Sequence, residues 1–332
     1  MKRTRRILFV HGSRSTFSNA DLELFQHLAT VRELLFKRKG LDIMRSIGAS
    51  ARGAYWADTV ISWFGASHAL VPSLVGRLLG RRVILISCGY DCARVPEVDY
   101  GNMRPGYRRL LGKLIFALAH EVWAASEAAR HDQVANVGVP SSKIWVIPLA
   151  VPVPAASLQP RKRAALCVGF VDVGNVRRKG LDCFVQAAAL IPDCEFWVAG
   201  RDMDGSVATL RSRASPNVHF LGYVDDMRDL MARASVIVQV SAHEGFGLAV
   251  AEAMAAGCLP VTSDRGSLPE LVGDCGFIVP FNNPQATADA IRQALCATDE
   301  DRSRARSRIL DQFPPERRRR SIAARLGLEG VD

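Results

Sequence analysis

The sequence predicts an α/β protein with two Rossmann-like, doubly wound parallel-sheet domains facing a central cleft. Its 332 residues suit two domains of ordinary size. Short runs that are apolar at successive positions indicate strands buried on both faces of a parallel sheet. Helix-like stretches separate these runs, as right-handed βαβ units require, and a proline-rich stretch near the middle divides the series in two.

Five apolar runs in the first half predict strands, and a helix-like run covers residues 19–37 after the first of them. These strands are Ile7–Val10, Thr59–Trp63, Val83–Ile86, Glu121–Ala124 and Ile144–Ile147. Four prolines then fall between residues 148 and 160, ahead of Arg161-Lys162-Arg163, and predict a linker. The predicted domains are therefore residues 1–155 and 156–313, followed by a C-terminal segment, 314–332.

Six further apolar runs after the linker predict a second sheet. They are Ala164–Val168, Glu195–Ala199, Val218–Leu221, Val236–Val240, Leu259–Thr262 and Phe277–Val279. Helices are expected near residues 181–190, 226–234, 246–256 and 285–297. The basic segment Pro314–Leu326 predicts one more helix, opened by prolines, which we expect to pack back on the first domain.

The composition argues against several classes of protein. Hydrophobic residues make up 48% of the chain, so it can bury a core and is not disordered. No stretch approaches the roughly 20 apolar residues of a membrane span, and the first apolar run is too short for a signal peptide. The eight cysteines show no metal-ligand spacing and indicate reduced thiols in the cytoplasm. No G-x-G-x-x-G motif follows the first strand, which disfavours a dinucleotide-dependent oxidoreductase.

The net charge of +10 lies in the first half of the chain. Residues 1–160 contain 21 Lys and Arg against 11 Asp and Glu, whereas the remainder contains 22 of each kind. This asymmetry indicates either an anionic partner for the first domain or a basic solvated surface. Aromatic residues make up only 7% of the chain and no RNA-binding motif is present, so a membrane face or a phosphorylated substrate is favoured over nucleic acid.

Residues 235–280 carry the strongest chemical signal. A predicted strand ends just before Glu244, and two glycines, Gly245 and Gly247, precede the next helix. Glycines let backbone N–H groups approach a ligand, and a helix N-terminus adds partial positive charge that suits phosphate or sugar oxygens. On so apolar a helix Glu252 is costly to bury unless ligand hydroxyls contact it. From the spacing alone, a solvated Glu252 and a Glu244 that merely caps the helix are the favoured interpretation.

The wider context of these glutamates changes that interpretation. The segment Glu244–Val279 resembles the signature of the retaining glycosyltransferases of family 4, which have the GT-B fold. The similarity continues upstream through Lys179-Gly180, Val198–Gly200 and Asn217–Val224. The matching positions within the segment are Gly247, Glu252, Ala253, Gly257, Pro260-Val261, Gly266, Pro269-Glu270 and Gly276.

The resemblance implies a role for each matching residue. Glu244 would contact the donor sugar near the reacting centre, Glu252 would accept hydrogen bonds from ribose hydroxyls, and Lys179 would neutralise the diphosphate leaving group. A fixed cation and a helix N-terminus can stabilise leaving-group charge without a metal. No metal site and no resident cofactor are therefore expected. Four consecutive residues would present backbone to the sugar and the diphosphate: Gly245, Phe246, Gly247 and Leu248.

The activity that the resemblance implies is the retaining transfer of a hexose-type sugar from a UDP- or GDP-sugar to a glycan or lipid-linked acceptor. The donor would bind the second domain and the acceptor the first, whose basic surface would also dock on an anionic membrane. We expect a cytoplasmic protein, or one peripheral on the cytoplasmic face of a membrane, with no nucleic-acid partner. The alternatives are another GT-B nucleotide-sugar enzyme of the epimerase type and a non-enzymatic module that binds an anionic membrane or nucleic acid.

One position departs from the family pattern on the donor side. The family usually has an arginine after the glycine that ends the first strand of the second domain, whereas here Phe170 follows Gly169. Arg177 and Arg178 stand beside Lys179, and either could supply the missing guanidinium, since arginine binds phosphate bidentately. Both could equally be solvated.

Three loops of the first domain follow predicted strands and would face the ligand. They are His11–Arg14, Gly65–His68 and Cys88–Asp91. Gly12, on the donor side, and Gly89 would permit close backbone approach. His68 and Asp91 could orient or deprotonate an acceptor hydroxyl, although a lone histidine before a helix is more often a cap or a packed residue. The expected acceptor-side contacts are Ser13, Arg14, Gly89 and Tyr90.

Overall fold

A computed structural model describes residues 5–37, 42–153 and 160–328. These residues form two compact units, each with its own sheet. Unit 1 contains the described residues up to Arg94, Gly101–Leu149 and the chain from Arg318 onward, and unit 2 contains Val95–Tyr100 and Ala150–Arg317. The chain passes from unit 1 to unit 2 between residues 149 and 150. Residues 154–159 of the predicted linker lie outside the described residues.

Unit 1 is built on a parallel sheet, which confirms the predicted fold class for the first half. Among the described residues its strands are β1 (Arg6–His11), β2 (Thr30–Leu35), β3 (Thr59–Trp63), β4 (Arg82–Ser87), β5 (Glu121–Ala124) and β6 (Ile144–Val146). Their spatial order is β2-β1-β3-β4-β5-β6, with every neighbouring pair parallel. The helices between them are α1 (Thr16–Leu28), α2 (Asp42–Trp56), α3 (Leu70–Leu78), α4 (Tyr107–Leu118) and α5 (Glu127–Asp132).

The helix predicted over residues 19–37 is wrong in its second half. α1 ends at Leu28, and β2 follows at once, paired with β1 from Arg6 beside Thr30 to His11 beside Leu35. β2 is an edge strand whose side chains are exposed or half-buried, so it lacks the continuous apolar run that marks the inner strands. Pairing with β1 therefore decides its conformation, and the local sequence does not.

Unit 2 contains the second parallel sheet and confirms the fold class for the second half. Its described strands are β7 (Lys162–Val168), β8 (Glu195–Ala199), β9 (Val218–Gly222), β10 (Ala234–Gln239), β11 (Leu259–Ser263) and β12 (Phe277–Val279). They lie in the order β12-β11-β10-β7-β8-β9, all parallel, which is the Rossmann order. Lys162 and Arg163 open β7, so assigning them to the linker is wrong. Their side chains are exposed, and the buried run that signals the strand begins only at Ala164.

Nine further helices are described in the second half of the chain: α6 (Val173–Arg178), α7 (Leu181–Ala189), α8 (Ser206–Arg211), α9 (Met227–Arg233), α10 (Leu248–Ala255), α11 (Leu268–Val272), α12 (Pro284–Leu295), α13 (Asp299–Gln312) and α14 (Pro315–Leu326). The sequence reasoning missed α13, because only Ala305 and Ile309 of this charged helix are buried. Its start is nevertheless marked by a capping box between Thr298 and Asp301.

The last helix, α14, joins unit 1 through a buried ion pair. Arg318 donates from Nε and Nη2 to the two carboxylate oxygens of Asp21, each at 2.7 Å. The indole of Trp63 donates to the same carboxylate at 2.8 Å. Arg318 also donates to the carbonyl oxygens of Ile147 and Pro148. A residue near the C-terminus thereby holds the first helix and the end of the last strand of unit 1.

Candidate active site

The topology of unit 2 identifies where a ligand should bind. β7 and β10 are neighbours, but the chain continues from β7 to β8 on one side and from β10 to β11 on the other. Ligands of such sheets bind outside the carboxyl ends of the strands at this switch point. Gly169 follows β7 here, and the stretch leading to Glu244 follows β10. Both loops that stood out in the sequence therefore begin at the ligand-binding edge.

Glu244 is held by two cations and a hydroxyl. Its Oε1 lies 3.3 Å from Lys179 Nζ and 3.5 Å from Arg178 Nη1, and Ser241 Oγ donates to it at 3.1 Å. Its side chain is 17% exposed. Burial alone would raise the pKa of Glu244, but the two cations and the hydrogen bonds from Lys179 and Ser241 outweigh burial and hold the pKa below its ordinary value. Glu244 is therefore an anion at neutral pH.

The structure distinguishes the two arginines that precede Lys179. Arg178 donates from Nε and Nη2 to Asn175 Oδ1 at 3.1 and 2.7 Å, and its Nη1 lies 3.4 Å from the carbonyl oxygen of His243. Arg177 is exposed and donates instead to the carbonyl oxygen of Glu97 at 3.4 Å. Arg178 is thus the guanidinium that reaches Glu244.

Gly169 makes room for Lys179. A Cβ atom at this position would lie 2.6 Å from Lys179 Cδ, too close for two carbon atoms. The absence of a side chain therefore lets the lysine stem cross the end of β7 and reach Glu244. Phe170, which stands where the family usually has arginine, is 58% exposed.

Backbone contacts and glycine geometry fix the segment from Glu244 to α10. Ser267 donates from its backbone N–H and from Oγ to the carbonyl oxygen of Glu244, at 3.0 and 3.1 Å. Gly245 is buried, and the ring of Phe246 packs against Phe313, so this side chain faces the core. Gly247 has a left-handed φ of 87° and a Cβ there would crowd two leucine methyls, which favours glycine. α10 then begins at Leu248 without a side-chain cap, so its first N–H groups can bind an anion.

Glu252 lies half-buried in the second turn of α10. Burial raises its pKa, and Arg228 opposes the rise without cancelling it. Within residues 5–37, 42–153 and 160–328 its side chain has no hydrogen bond and no ion pair. Its carboxylate can therefore accept hydrogen bonds from a ligand.

In unit 1, the predicted His68 and Asp91 are almost completely buried. His68 Nε2 lies 2.6 Å from the carbonyl oxygen of Trp63, and Asp91 Oδ2 accepts the N–H of Gly65 at 2.8 Å. Burial raises the pKa of Asp91, partly offset by that N–H. Both side chains hold the loop that follows β3. That His68 or Asp91 takes a proton from an acceptor hydroxyl stays a prediction.

The other predicted residues of unit 1 lie at strand ends. Ser13 and Arg14 are exposed, and the Arg14 guanidinium donates to Glu33 at 2.9–3.2 Å. Gly12 precedes them and is half-buried. In the loop after β4, the carbonyl of Gly89 accepts the backbone N–H groups of Cys92 and Ala93, and Tyr90 is 39% exposed.

Sequence reasoning missed three residues at the site. Ser241 could have been found, since it is a polar residue between an apolar strand and Glu244. His243 adjoins Glu244 but has no pattern of its own. Tyr100 lies far away in the sequence, yet its ring packs 5.8 Å from the ring of His243. No local signal relates these two residues.

The described residues contain neither a candidate metal cluster nor a membrane-spanning helix. No group of three or more His, Cys, Asp or Glu in these parts of the chain could hold a metal ion. None of the helices described is long and apolar enough to cross a membrane.

Comparison with known families agrees with this geometry. Residues 163–297 match the sequence model for glycosyl transferases group 1. The matched residues are about two fifths of the chain, so the similarity to this family lies in the second half. The match covers β7 to the end of α12, which includes both loops at the switch point of unit 2.

Curated relatives extend the similarity. The phosphatidyl-myo-inositol mannosyltransferase of Mycobacterium tuberculosis is 29% identical over 217 residues, which are 61% of this chain and 54% of that protein. The chain thus spans about half the length of this relative. The GDP-mannose-dependent alpha-(1-6)-phosphatidylinositol dimannoside mannosyltransferase of the same species is 29% identical over 320 residues, 91% of this chain and 77% of that one.

Solved structures match the fold over nearly the whole chain. Anabaena Alr3699/HepE in complex with UDP and glucose has a TM-score of 0.79 at 17% identity, covering 97% of this chain and 99% of its own. The sucrose-phosphate synthase of Thermosynechococcus elongatus has a TM-score of 0.78 at 18% identity, covering 97% and 98%. These matches confirm the GT-B fold expected from the sequence.

Proposed function

We propose that this chain is a retaining glycosyltransferase that moves a hexose from a nucleotide-diphosphate sugar to a hydroxyl group of a glycan or lipid-linked acceptor. The observation that carries the proposal is the cluster of Lys179, Glu244 and Arg178 at the switch point of unit 2, in the segment that leads into α10. A relative named as GDP-mannose-dependent and a neighbour solved with UDP-glucose support a nucleotide-sugar donor.

The cations act on the leaving group. When the bond between the sugar and the diphosphate breaks, negative charge develops on the phosphate oxygens. Lys179, Arg178 and the uncapped N–H groups of α10 are fixed before the reaction, so they stabilise this charge without reorganising. We therefore propose that transfer needs no metal ion and continues in the presence of EDTA.

The two glutamates bind the rest of the donor. Glu244 is ionised and faces the same edge as the cations, so it can bind the sugar and stabilise positive charge on the reacting carbon. Glu252 is half-buried without a protein partner in the described chain, and ribose hydroxyls would satisfy its carboxylate.

A membrane contact through unit 1 fits a lipid-linked acceptor. α3 packs against both α2 and α4, and large apolar side chains of α3 and α4 are exposed: Leu78 (77%), Leu110 (72%) and Leu114 (51%). Arg108 and Lys113 stand among them on α4. Apolar side chains beside basic ones favour an anionic leaflet, where each cation contributes about 1 kcal/mol. We propose docking on the cytoplasmic leaflet. Equal flotation with neutral and anionic vesicles would contradict it.

Donor binding is tested first. A thermal-shift screen with UDP, GDP, ADP and their sugar conjugates should raise the melting temperature with one nucleotide class, because a ligand that binds only the folded state stabilises it. No shift with any of these compounds would refute the proposal.

Transfer is tested with variants at the cluster. Glu244→Gln and Lys179→Ala should each lower kcat by about a hundredfold or more, because each removes charge at the reacting centre. Glu300→Gln, an exposed position on α13, is the matched control and should keep full activity. Undiminished turnover in Glu244→Gln or Lys179→Ala would refute the assigned role, and NMR of the product tests retention.

A further inference from the structure

Val95–Tyr100, here termed the strap, forms a small closed loop. Val95 and Tyr100 exchange two backbone hydrogen bonds of 2.9 and 3.1 Å. A 3₁₀ turn over Pro96–Val98 lies between them, and Asp99 closes it with a left-handed φ of 50°. The strap stands far ahead of the linker in the sequence, yet it clusters with unit 2.

Glu97 ties the strap to two loops of unit 2. Its carboxylate lies 3.8 Å from Arg265 Nη1, and its carbonyl oxygen accepts the bond from Arg177. Arg265 lies two residues before Ser267, which holds the carbonyl of Glu244, and Arg177 lies two residues before Lys179. The strap is therefore anchored to the loop that leads to Lys179 and to the loop that holds the backbone of Glu244.

Tyr100 places its ring against the site itself. The guanidinium carbon of Arg178 lies 4.8 Å from the centre of this ring, within the range of a cation–π contact. The ring of His243, next to Glu244 in the chain, lies 5.8 Å away at a tilt of 41°. Tyr100 thus contacts one residue from each loop around Glu244.

The Tyr100 ring limits the rotamers of the Arg178 side chain further than the hydrogen bonds of Arg178 do. The side-chain oxygen of Asn175 and the carbonyl of His243 accept its N–H groups, while the Tyr100 ring contacts the guanidinium through its π-face. An arginine side chain otherwise samples many rotamers, and fixing it before the ligand arrives removes that ordering cost from binding.

We propose that Tyr100 is a positioning residue of the donor site: its ring holds the Arg178 guanidinium in the orientation that binds the terminal phosphate of a nucleoside diphosphate. The inference rests on the proposed function. It adds a residue from the first half of the chain to a site that the sequence motif confines to the second half.

The test measures the affinity of nucleotides by isothermal titration calorimetry. The probe is whichever of UDP, GDP and ADP binds the wild type, together with its monophosphate. Tyr100→Leu should weaken binding of the diphosphate about threefold to thirtyfold, which is the range expected from loss of a cation–π contact. The monophosphate, which lacks the terminal phosphate, should keep its affinity. Tyr100→Phe retains the ring and should bind within about twofold of wild type.

A double-mutant cycle separates positioning from a merely structural role. If Tyr100 acts through Arg178, Tyr100→Leu should have no further effect on diphosphate affinity in an Arg178→Ala background. Tyr55→Leu, at an exposed tyrosine of α2, controls for tyrosine loss and should leave both affinities unchanged.

The outcomes are distinct. Any one of three results would overturn the inference alone. Tyr100→Leu could weaken binding of the diphosphate and the monophosphate equally, or it could leave diphosphate affinity unaltered. The third result is an effect of Tyr100→Leu that is unchanged in the Arg178→Ala background. A wild type that binds no nucleoside diphosphate would refute the proposed function, and the inference with it.

Discussion

Replacing Arg318 with methionine should destabilise unit 1 strongly. Arg318 and Asp21 are each 3% exposed at the side chain, so neither charge is solvated. The Arg318→Met side chain occupies a similar volume but donates no hydrogen bond. Among the described residues, the carboxylate of Asp21 would keep only the indole of Trp63 as a donor, and the carbonyl oxygens of Ile147 and Pro148 would lose the Arg318 donor.

The expected loss follows from the charge left behind. Removing one partner of a buried ion pair costs about 3–5 kcal/mol, because the other charge stays desolvated without compensation. For a unit of this size that corresponds to a fall of roughly 6–20 °C in the melting temperature. Replacing the pair together, as in Arg318→Met with Asp21→Leu, should recover part of the loss because no unpaired charge remains.

Urea denaturation followed by circular dichroism measures the effect, with Arg320→Met as the matched control. Arg320 lies on the same helix but is exposed, so its replacement should change the free energy of unfolding by less than about 0.5 kcal/mol. An Arg318→Met variant as stable as Arg320→Met would refute the reasoning.

Three more outcomes follow from the structure. Gln133 is buried and neither polar atom of its side chain has a hydrogen-bond partner in the described chain, so Gln133→Met should stabilise unit 1 by about 1–2 kcal/mol in urea denaturation, and destabilisation would contradict this. Arg306 donates to the carbonyl of Ala255 at the C-terminal end of α10, so Arg306→Met should cost about 1 kcal/mol in the same assay, more than Arg304→Met on the exposed face of α13. Burial holds the pKa of Glu252 above its ordinary 4.5, and only the ionised form accepts freely from ribose hydroxyls. Nucleotide affinity measured by calorimetry should therefore fall as the pH drops through that raised pKa. The same pH profile in Glu252→Gln would argue against a contact between Glu252 and the ribose.

The strands buried on both faces were predictable, whereas two elements on the surface, β2 and α13, were not. β5 and β8 have the predicted bounds, since in each a buried apolar run follows one opening glutamate. β2 and α13 carry few buried side chains, so their sequences resemble exposed helix or loop. Their conformations depend on a neighbouring strand and on a capping box rather than on an apolar pattern.

The sequence by itself determined the fold class and the segment from Glu244 to α10. These depend on local order along one strand, one turn and one helix, so their pattern is visible in consecutive residues. Only the tertiary structure decided that Arg178 rather than Arg177 reaches Glu244, that Tyr100 joins the donor site and that Arg318 holds Asp21. The partners in these contacts stand far apart in the chain, 66 residues in the first case and 297 in the last. The order of the strands and the crossing of the chain between the two units bring such pairs together. Neither produces a pattern in consecutive residues that the sequence alone would reveal.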